Sequence, residues 1–461
     1  MASLYGGSAD AFRLPISVEA VNCDIAIVNG TILPMADRSD IVNGVVTITG
    51  NSISEVGDSS TDVSGAKKII DARGSVVMPG FANSHTHVAS NLLLRGLLED
   101  VLLFEWLQTM WNLKRNFDHE TLYWASLCGD LEMLKAGITS FNEHFDAYDV
   151  EPQIDALAEI PLRATLGYGF ADRGLYAPRT EYSHRTMARF GDIVAEHHDT
   201  RDGLLHIALS PHAVYSCGAE MWHEVRRLAD ELTISIHTHL SEGQQEVAYT
   251  TENYGMRPVQ WLDSLGFLGP DVTAAHCSSL DARDIEILAR TGTKVAHCPI
   301  SNAKLGSGTM PLRAVMAAGI TVGLATDGPA SHNSSDIFEE MKFAGLIHKT
   351  VTSDVEFLKI GEILEMSTAQ GALAMHRPDT GRLEPGAKAD VIVVNLDTAH
   401  TQPVYDPRAA LVYSSRADDV THSIVNGKLL MENHEVIGVD EERIRHRFHE
   451  AAHALKVRSI G

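Results

Sequence analysis

FANSHTHVAS, residues 81–90, closes an apolar run with two histidines one position apart, His85 and His87, just after Met78-Pro79-Gly80. The same tripeptide recurs in SIHTHLSE, residues 235–242, as His237-Thr238-His239. In a strand, residues i and i+2 point to one face, so each stretch presents two imidazoles side by side. Neutral imidazole is the commonest side-chain ligand for zinc-like ions. Taken alone, a His-x-His has a competing reading as a buried structural pair.

Working outward, six further runs share the form of these two: GITSFNEHFD, LRATLGYGF, LLHIALSPHAV, VTAAHCSSL, TKVAHCPISN and TVGLATDGPAS. Each is β-rich and ends in polar residues. Amphipathic stretches such as ETLYWASLCGDLEMLKAG and DARDIEILARTG lie between them, the second stopping at Gly292 as helices often do. Eight strand–helix units in series predict an α/β fold, a (β/α)8 TIM barrel over residues 79–385. The flanks, 1–78 and 386–461, turn often and alternate: CDIAIVNGTILPM and GVVTITGNSISEVG on one side, GAKADVIVVNL and THSIVNGKLLMEN on the other. They are expected to pack together as one small β-sandwich, with a terminal helix in EERIRHRFHEAAHALKV.

Barrel active sites sit at the C-terminal ends of the strands. The fifth run delivers His237, His239 and Glu242 there, the sixth His276, and the eighth Asp327. Metal-competent or proton-competent groups on four strand ends point to a metal site.

Composition narrows the partners. The 461 residues carry 61 acidic and 37 basic side chains, a net charge of -24, which repels phosphate backbones and excludes nucleic acid as the expected partner. The five cysteines, Cys23, Cys128, Cys217, Cys277 and Cys298, are widely spaced with no CxxC, which suits a reducing cytoplasm. No apolar stretch approaches the roughly 20 residues that span a bilayer, so no membrane partner is expected. A small-molecule substrate remains.

The stretches PGFANSHTHV, HTHLSE, AAHC, VAHCPISNAKLGSG, ATDGPAS and EEMK at Glu339–Lys342 resemble the amidohydrolase superfamily. The branch is that of the cytosine-, guanine- and adenosylhomocysteine/methylthioadenosine-type deaminases and the triazine hydrolases. The resemblance implies that His85, His87, His239 and Asp327 hold one divalent ion, with zinc as the first expectation and iron, cobalt or manganese as alternatives. Binuclear members use a modified lysine at the end of strand four; LLHIALSPHAVYS offers His212 instead, so one metal is expected. Glu242 is then placed as general base and acid. His276 polarises the electrophile or steadies the attacking water, and Asp327 combines ligation with proton shuttling. His237 either orients a ligand or fills the barrel interior.

His212 is expected to touch substrate. The apolar segment 91–111, with Trp106 and Trp111, reads as a pocket wall or as subunit packing, and a homo-oligomer is expected. Three positions depart from the nucleoside deaminases the sequence resembles. Arg115 stands where they place a ribose-holding glutamate, Tyr168 where they tend to carry an arginine, and His332 where asparagine is frequent. Tyr168 and His332 are read as substrate contacts. These departures point to a C–N (or related C–S or C–Cl) bond in a small neutral nitrogen compound, such as an s-triazine, phenylurea or (thio)carbamate. The alternative is a nucleoside or purine deaminase of the methylthioadenosine/adenosylhomocysteine type.

Overall fold

The computed structural model describes residues 22–36, 39–146 and 149–460, with side chains through Leu455. Eight parallel strands follow one another in space as in sequence: β1 (Phe81–Thr86), β2 (Ile138–His144), β3 (Arg163–Phe170), β4 (Leu205–Pro211), β5 (Ile236–Leu240), β6 (Val272–His276), β7 (Lys294–His297) and β8 (Val322–Leu324). Helices connect them, as the alternation of runs predicts. The DARDIEILARTG segment is a helix over Ala282–Thr291, capped by the Asp281 side chain and ended by Gly292 at φ 72°.

Side chains complete the barrel between its first and last strands. Ser84 Oγ donates to the Leu324 carbonyl (2.7 Å), and Asn83 exchanges two bonds with Thr326. The Asp327 amide donates to the His85 carbonyl at 3.0 Å. Thus the polar residues of FANSHTHV close the ring as well as line it.

The flanks meet in one nine-stranded sheet, as their shared strand-and-turn style predicts. Val391–Asn395 pairs antiparallel with Ser75–Pro79, so the returning chain docks on the strand that feeds the barrel. The sheet has its own apolar cluster, including Ile27, Ile48, Ile53, Val77, Val391 and Ile424. Passage from sheet to barrel runs through Gly80, where a Cβ would lie 2.1 Å from the Thr139 side chain, so no larger residue fits.

A buried ion pair ties the two parts together. Arg163 on β3 meets Asp390 through two bonds, Nε to Oδ2 at 2.6 Å and Nη2 to Oδ1 at 3.0 Å, and also reaches Asn426. The Asp390 carboxylate accepts from the Asn426 amide at 2.7 Å, so each partner is satisfied. Two helices matter for the site: α1 (Leu103–Lys114), lying over the barrel mouth, and α2 (Ile337–Thr352). No helix among the described residues is long and apolar enough to cross a membrane.

Removing one partner of a buried pair strands the other's charge. Asp390→Ala is therefore expected to lower stability by about 3–5 kcal/mol, read from urea unfolding followed by circular dichroism. A loss below about 1 kcal/mol would show that the pair does not join sheet to barrel.

Candidate active site

The strand ends that carry the site are strained. Ser241, His276, Cys277 and Asp327 have φ of 52°, 73°, 49° and 59°, in the left-handed region that non-glycine residues rarely enter. Local hydrogen bonds hold this geometry. The Glu246 carboxylate accepts from the amides of Ser241 (3.0 Å) and Glu242 (2.7 Å). Glu143 does the same after β1, accepting from Val88 (3.0 Å) and Ala89 (2.9 Å). Burial pushes the Glu143 carboxyl up to about 8 and that of Glu246 up to about 7.

Three histidines are oriented by their far nitrogens. His87 Nδ1 donates to the His144 carbonyl at 2.7 Å, and His239 Nδ1 donates to the His212 carbonyl at 2.7 Å. Each ring therefore carries its proton on Nδ1 and its lone pair on Nε2. The two Nε2 atoms face one another at 3.0 Å. His85 Nδ1 bonds His237 Nε2 at 2.8 Å, leaving the buried His85 Nε2 without a hydrogen-bond partner. Asp327 Oδ1 lies 3.4 Å from His85 Nε2 and 3.7 Å from His87 Nε2. Burial holds His85 down to about 4 and His87 and His239 well below the ordinary histidine range, so all three are neutral.

Neutral lone pairs that converge on a carboxylate repel unless a cation lies among them. Three imidazole nitrogens and one carboxylate oxygen are a zinc-type donor set, so these residues fit the divalent ion that the sequence implied. The Asp327 carboxylate is fixed in place: its Oδ2 accepts from Ser301 Oγ (2.5 Å) and Ser331 Oγ (3.0 Å), and its Oδ1 from the Gly328 amide (2.6 Å). His237, buried in the barrel interior, reaches this cluster only through its bond to His85.

A cavity opens beside this cluster, and Glu242, His276, His212 and Trp106 line it with His87, His239 and Asp327. Burial, then the nearby Asp327 charge, raises the Glu242 carboxyl well above its ordinary range, so it holds a proton avidly. His276 Nδ1 bonds Asn302 Oδ1 at 2.9 Å, which turns Nε2 to within 3.9 Å of Glu242 Oε2.

Three expected contacts lie elsewhere. Tyr168 and Phe170 both pack on Phe190, at 5.6 and 5.8 Å between ring centroids. Both therefore face the helical layer, and the interior-facing positions of β3 are Gly167 and Gly169. Trp111 sits one layer back, 4.6 Å from the Tyr176 ring. His332 turns toward α2 and pairs with Glu340 at 3.0 Å, away from the cavity wall. His297 pairs with His348 at 2.8 Å.

Sequence reasoning missed Lys114 and Asp146, which line the cavity. Their side chains form an ion pair at 2.6 Å, each 5% exposed. Arg115, singled out beside Lys114, is on the solvent side of α1 and donates to the Asn112 carbonyl. Helical spacing holds the missing signal: Leu103, Trp106, Met110 and Lys114 follow the buried face, and Arg115 is one step out of phase.

Protein grown with zinc is expected to retain about one ion per chain by plasma mass spectrometry, and His239→Ala to lose nearly all of it while staying folded. Full occupancy in His239→Ala would remove this residue from the ligand set.

The model of the amidohydrolase family matches residues 76–430. A 5'-deoxyadenosine deaminase of Methanosarcina acetivorans is 38% identical over 438 residues, 95% of this chain and 99% of that protein. A 5-methylthioadenosine/S-adenosylhomocysteine deaminase of Thermococcus sibiricus is 39% identical, over 88% of this chain and 94% of that protein. Among solved structures, an adenosine deaminase from Xanthomonas campestris with bound zinc superposes with a TM-score of 0.89 at 29% identity, over 95% of this chain and 100% of that one. An atrazine chlorohydrolase from Arthrobacter aurescens complexed with zinc gives a TM-score of 0.87 at 25% identity, over 93% and 100%. The chain belongs to the amidohydrolase family and is a hydrolase acting on carbon–nitrogen bonds.

Proposed function

We propose that this enzyme removes the exocyclic amine of an adenine ring carried on a 5′-modified nucleoside, of the 5′-deoxyadenosine or methylthioadenosine kind. The observation that carries this reading is near full-length identity of 38–39% to deaminases of those nucleosides, against 25% to a triazine chlorohydrolase. The s-triazine, phenylurea and (thio)carbamate class expected from sequence is the weaker reading. It rested on the departures at Arg115, Tyr168 and His332; Asp146 nevertheless brings a carboxylate to the cavity wall beside α1. The cavity shares Leu107 and Tyr215 with an outer recess, whose wall includes Phe104, Leu175, Tyr176 and Tyr249. That recess is aromatic and aliphatic, and suits a 5′-methyl or methylthio group.

A divalent ion held by His85, His87, His239 and Asp327 supplies Lewis-acid chemistry, making water acidic enough to furnish hydroxide near neutral pH. The chain's own residues handle the protons. Glu242 takes one from the attacking water and passes it to the ring nitrogen next to the reacting carbon. Its burial favours holding that proton between the two transfers. His276 Nε2, turned inward by Asn302, orients the water as its oxygen bonds to carbon. The C–N bond then breaks, and the amine leaves as ammonia with the water's second proton. Net, one water is consumed and the C–NH2 carbon becomes a carbonyl.

The test is product analysis by mass spectrometry with parallel ammonia release, on a panel of 5′-deoxyadenosine, methylthioadenosine, adenosylhomocysteine, an aminotriazine and a phenylurea. Deamination of the nucleosides is expected. Cleavage of the triazine or urea with every nucleoside untouched would restore the first expectation and reject this one. Glu242→Gln is expected to keep its metal and melting temperature while turnover falls about 10²–10⁴-fold; an active variant would remove Glu242 from the proton path.

A further inference from the structure

Lys114 and Asp146 form a buried ion pair inside the catalytic cavity, and neither has used its full bonding capacity. Lys114 Nζ carries three N–H groups and donates to Asp146 Oδ2. Asp146 Oδ1 is buried with no hydrogen-bond partner. Three imidazole nitrogens approach that oxygen: His144 Nδ1 at 3.4 Å, His87 Nδ1 at 3.6 Å and His212 Nε2 at 3.7 Å. The His87 Nδ1 proton already goes to the His144 carbonyl. On the same wall, the buried Trp106 Nε1 is a further donor with no partner. The cavity thus presents spare donors and a spare acceptor side by side.

Charge limits what these groups accept. An anionic ligand gains from Lys114 but is repelled by Asp146, and a cationic one meets the reverse. A second metal ion beside Asp146 would face the lysine ammonium. The fitting ligand is neutral and offers both a donor and an acceptor at neighbouring positions. Two adjacent hydroxyls do so, since each can give and receive a hydrogen bond.

We propose that the Lys114–Asp146 pair reads the vicinal hydroxyls of the sugar, one accepting from Lys114 Nζ and the other donating to Asp146 Oδ1. This rests on the nucleoside deaminase reading and assigns its specificity to residues of α1 and of the loop after β2. The pair is a binding element rather than a proton carrier, so its loss is felt mainly in KM.

The experiment compares kcat/KM for adenosine, 2′-deoxyadenosine, 3′-deoxyadenosine and 2′,3′-dideoxyadenosine, with free adenine alongside. The metal-loaded enzyme is set against its Lys114→Met and Asp146→Asn variants, with metal content and melting temperature checked in each. The unmodified enzyme is expected to lose about 100-fold or more when both hydroxyls are absent, because the spare Lys114 donor and Asp146 Oδ1 are then left without a partner. In Lys114→Met that discrimination is expected to shrink to about 10-fold or less. Equal rates on adenosine and the dideoxy analogue in the unmodified enzyme would overturn the proposal whether or not the variants fold. So would undiminished discrimination in both folded variants. Deamination of adenine alone would overturn it while leaving the ring chemistry standing; no deamination of any of these purines, with 5′-deoxyadenosine and methylthioadenosine also untouched, would reject the deaminase reading and this inference with it.

Discussion

Two imidazole nitrogens facing each other at 3.0 Å, each with its lone pair directed at the other, are the constraint from which the rest of this structure follows. Neither ring can turn away, because the opposite nitrogen of each donates to a backbone carbonyl. His85 and Asp327 bring a third lone pair and a carboxylate to the same point. Such a convergence is unfavourable without a cation, so the fold must hold the site together against repulsion. It does so with the barrel: His85 and His239 stand on β1 and β5, His87 just after β1 and Asp327 soon after β8, and strand pairing fixes their spacing.

The fixing extends outward in a second ring of contacts. Glu143 and Glu246 clamp the backbone beyond β1 and β5. Ser301, Ser331 and the Gly328 amide hold the Asp327 carboxylate. Left-handed backbone at His276 and Asp327 aims side chains into the cavity that relaxed strand ends would direct elsewhere. Outside the barrel, Arg163 and Asp390 bind the flanking sheet to β3, and Gly80 lets the sheet strand run straight into β1.

How much of this the sequence showed depended on periodicity. His85, His87, His239, Glu242, His276 and Asp327 were legible because strand alternation and strand ends are local properties, and all six meet here. Tyr168 was misplaced because strand parity was not carried through β3: its neighbours at i−1 and i+1 are the glycines that face inward. Lys114 was missed for a helical reason, since Arg115 is its neighbour in sequence but 100° away around α1. Asp146 and the Glu143 clamp carry no local pattern, because their partners lie on other segments. His332 was read from its place near Asp327, but the pull of the buried Glu340 on α2 turns it away.

The central claim is that one cation is held at the point where these lone pairs converge. Anomalous diffraction from zinc-loaded crystals, recorded above and below the zinc edge, tests it most directly. The account predicts a single strong peak within bonding distance of the Nε2 atoms of His85, His87 and His239 and of an Asp327 oxygen. A strong peak elsewhere in the cavity, or a second of equal height beside His144 and Asp146, would contradict it.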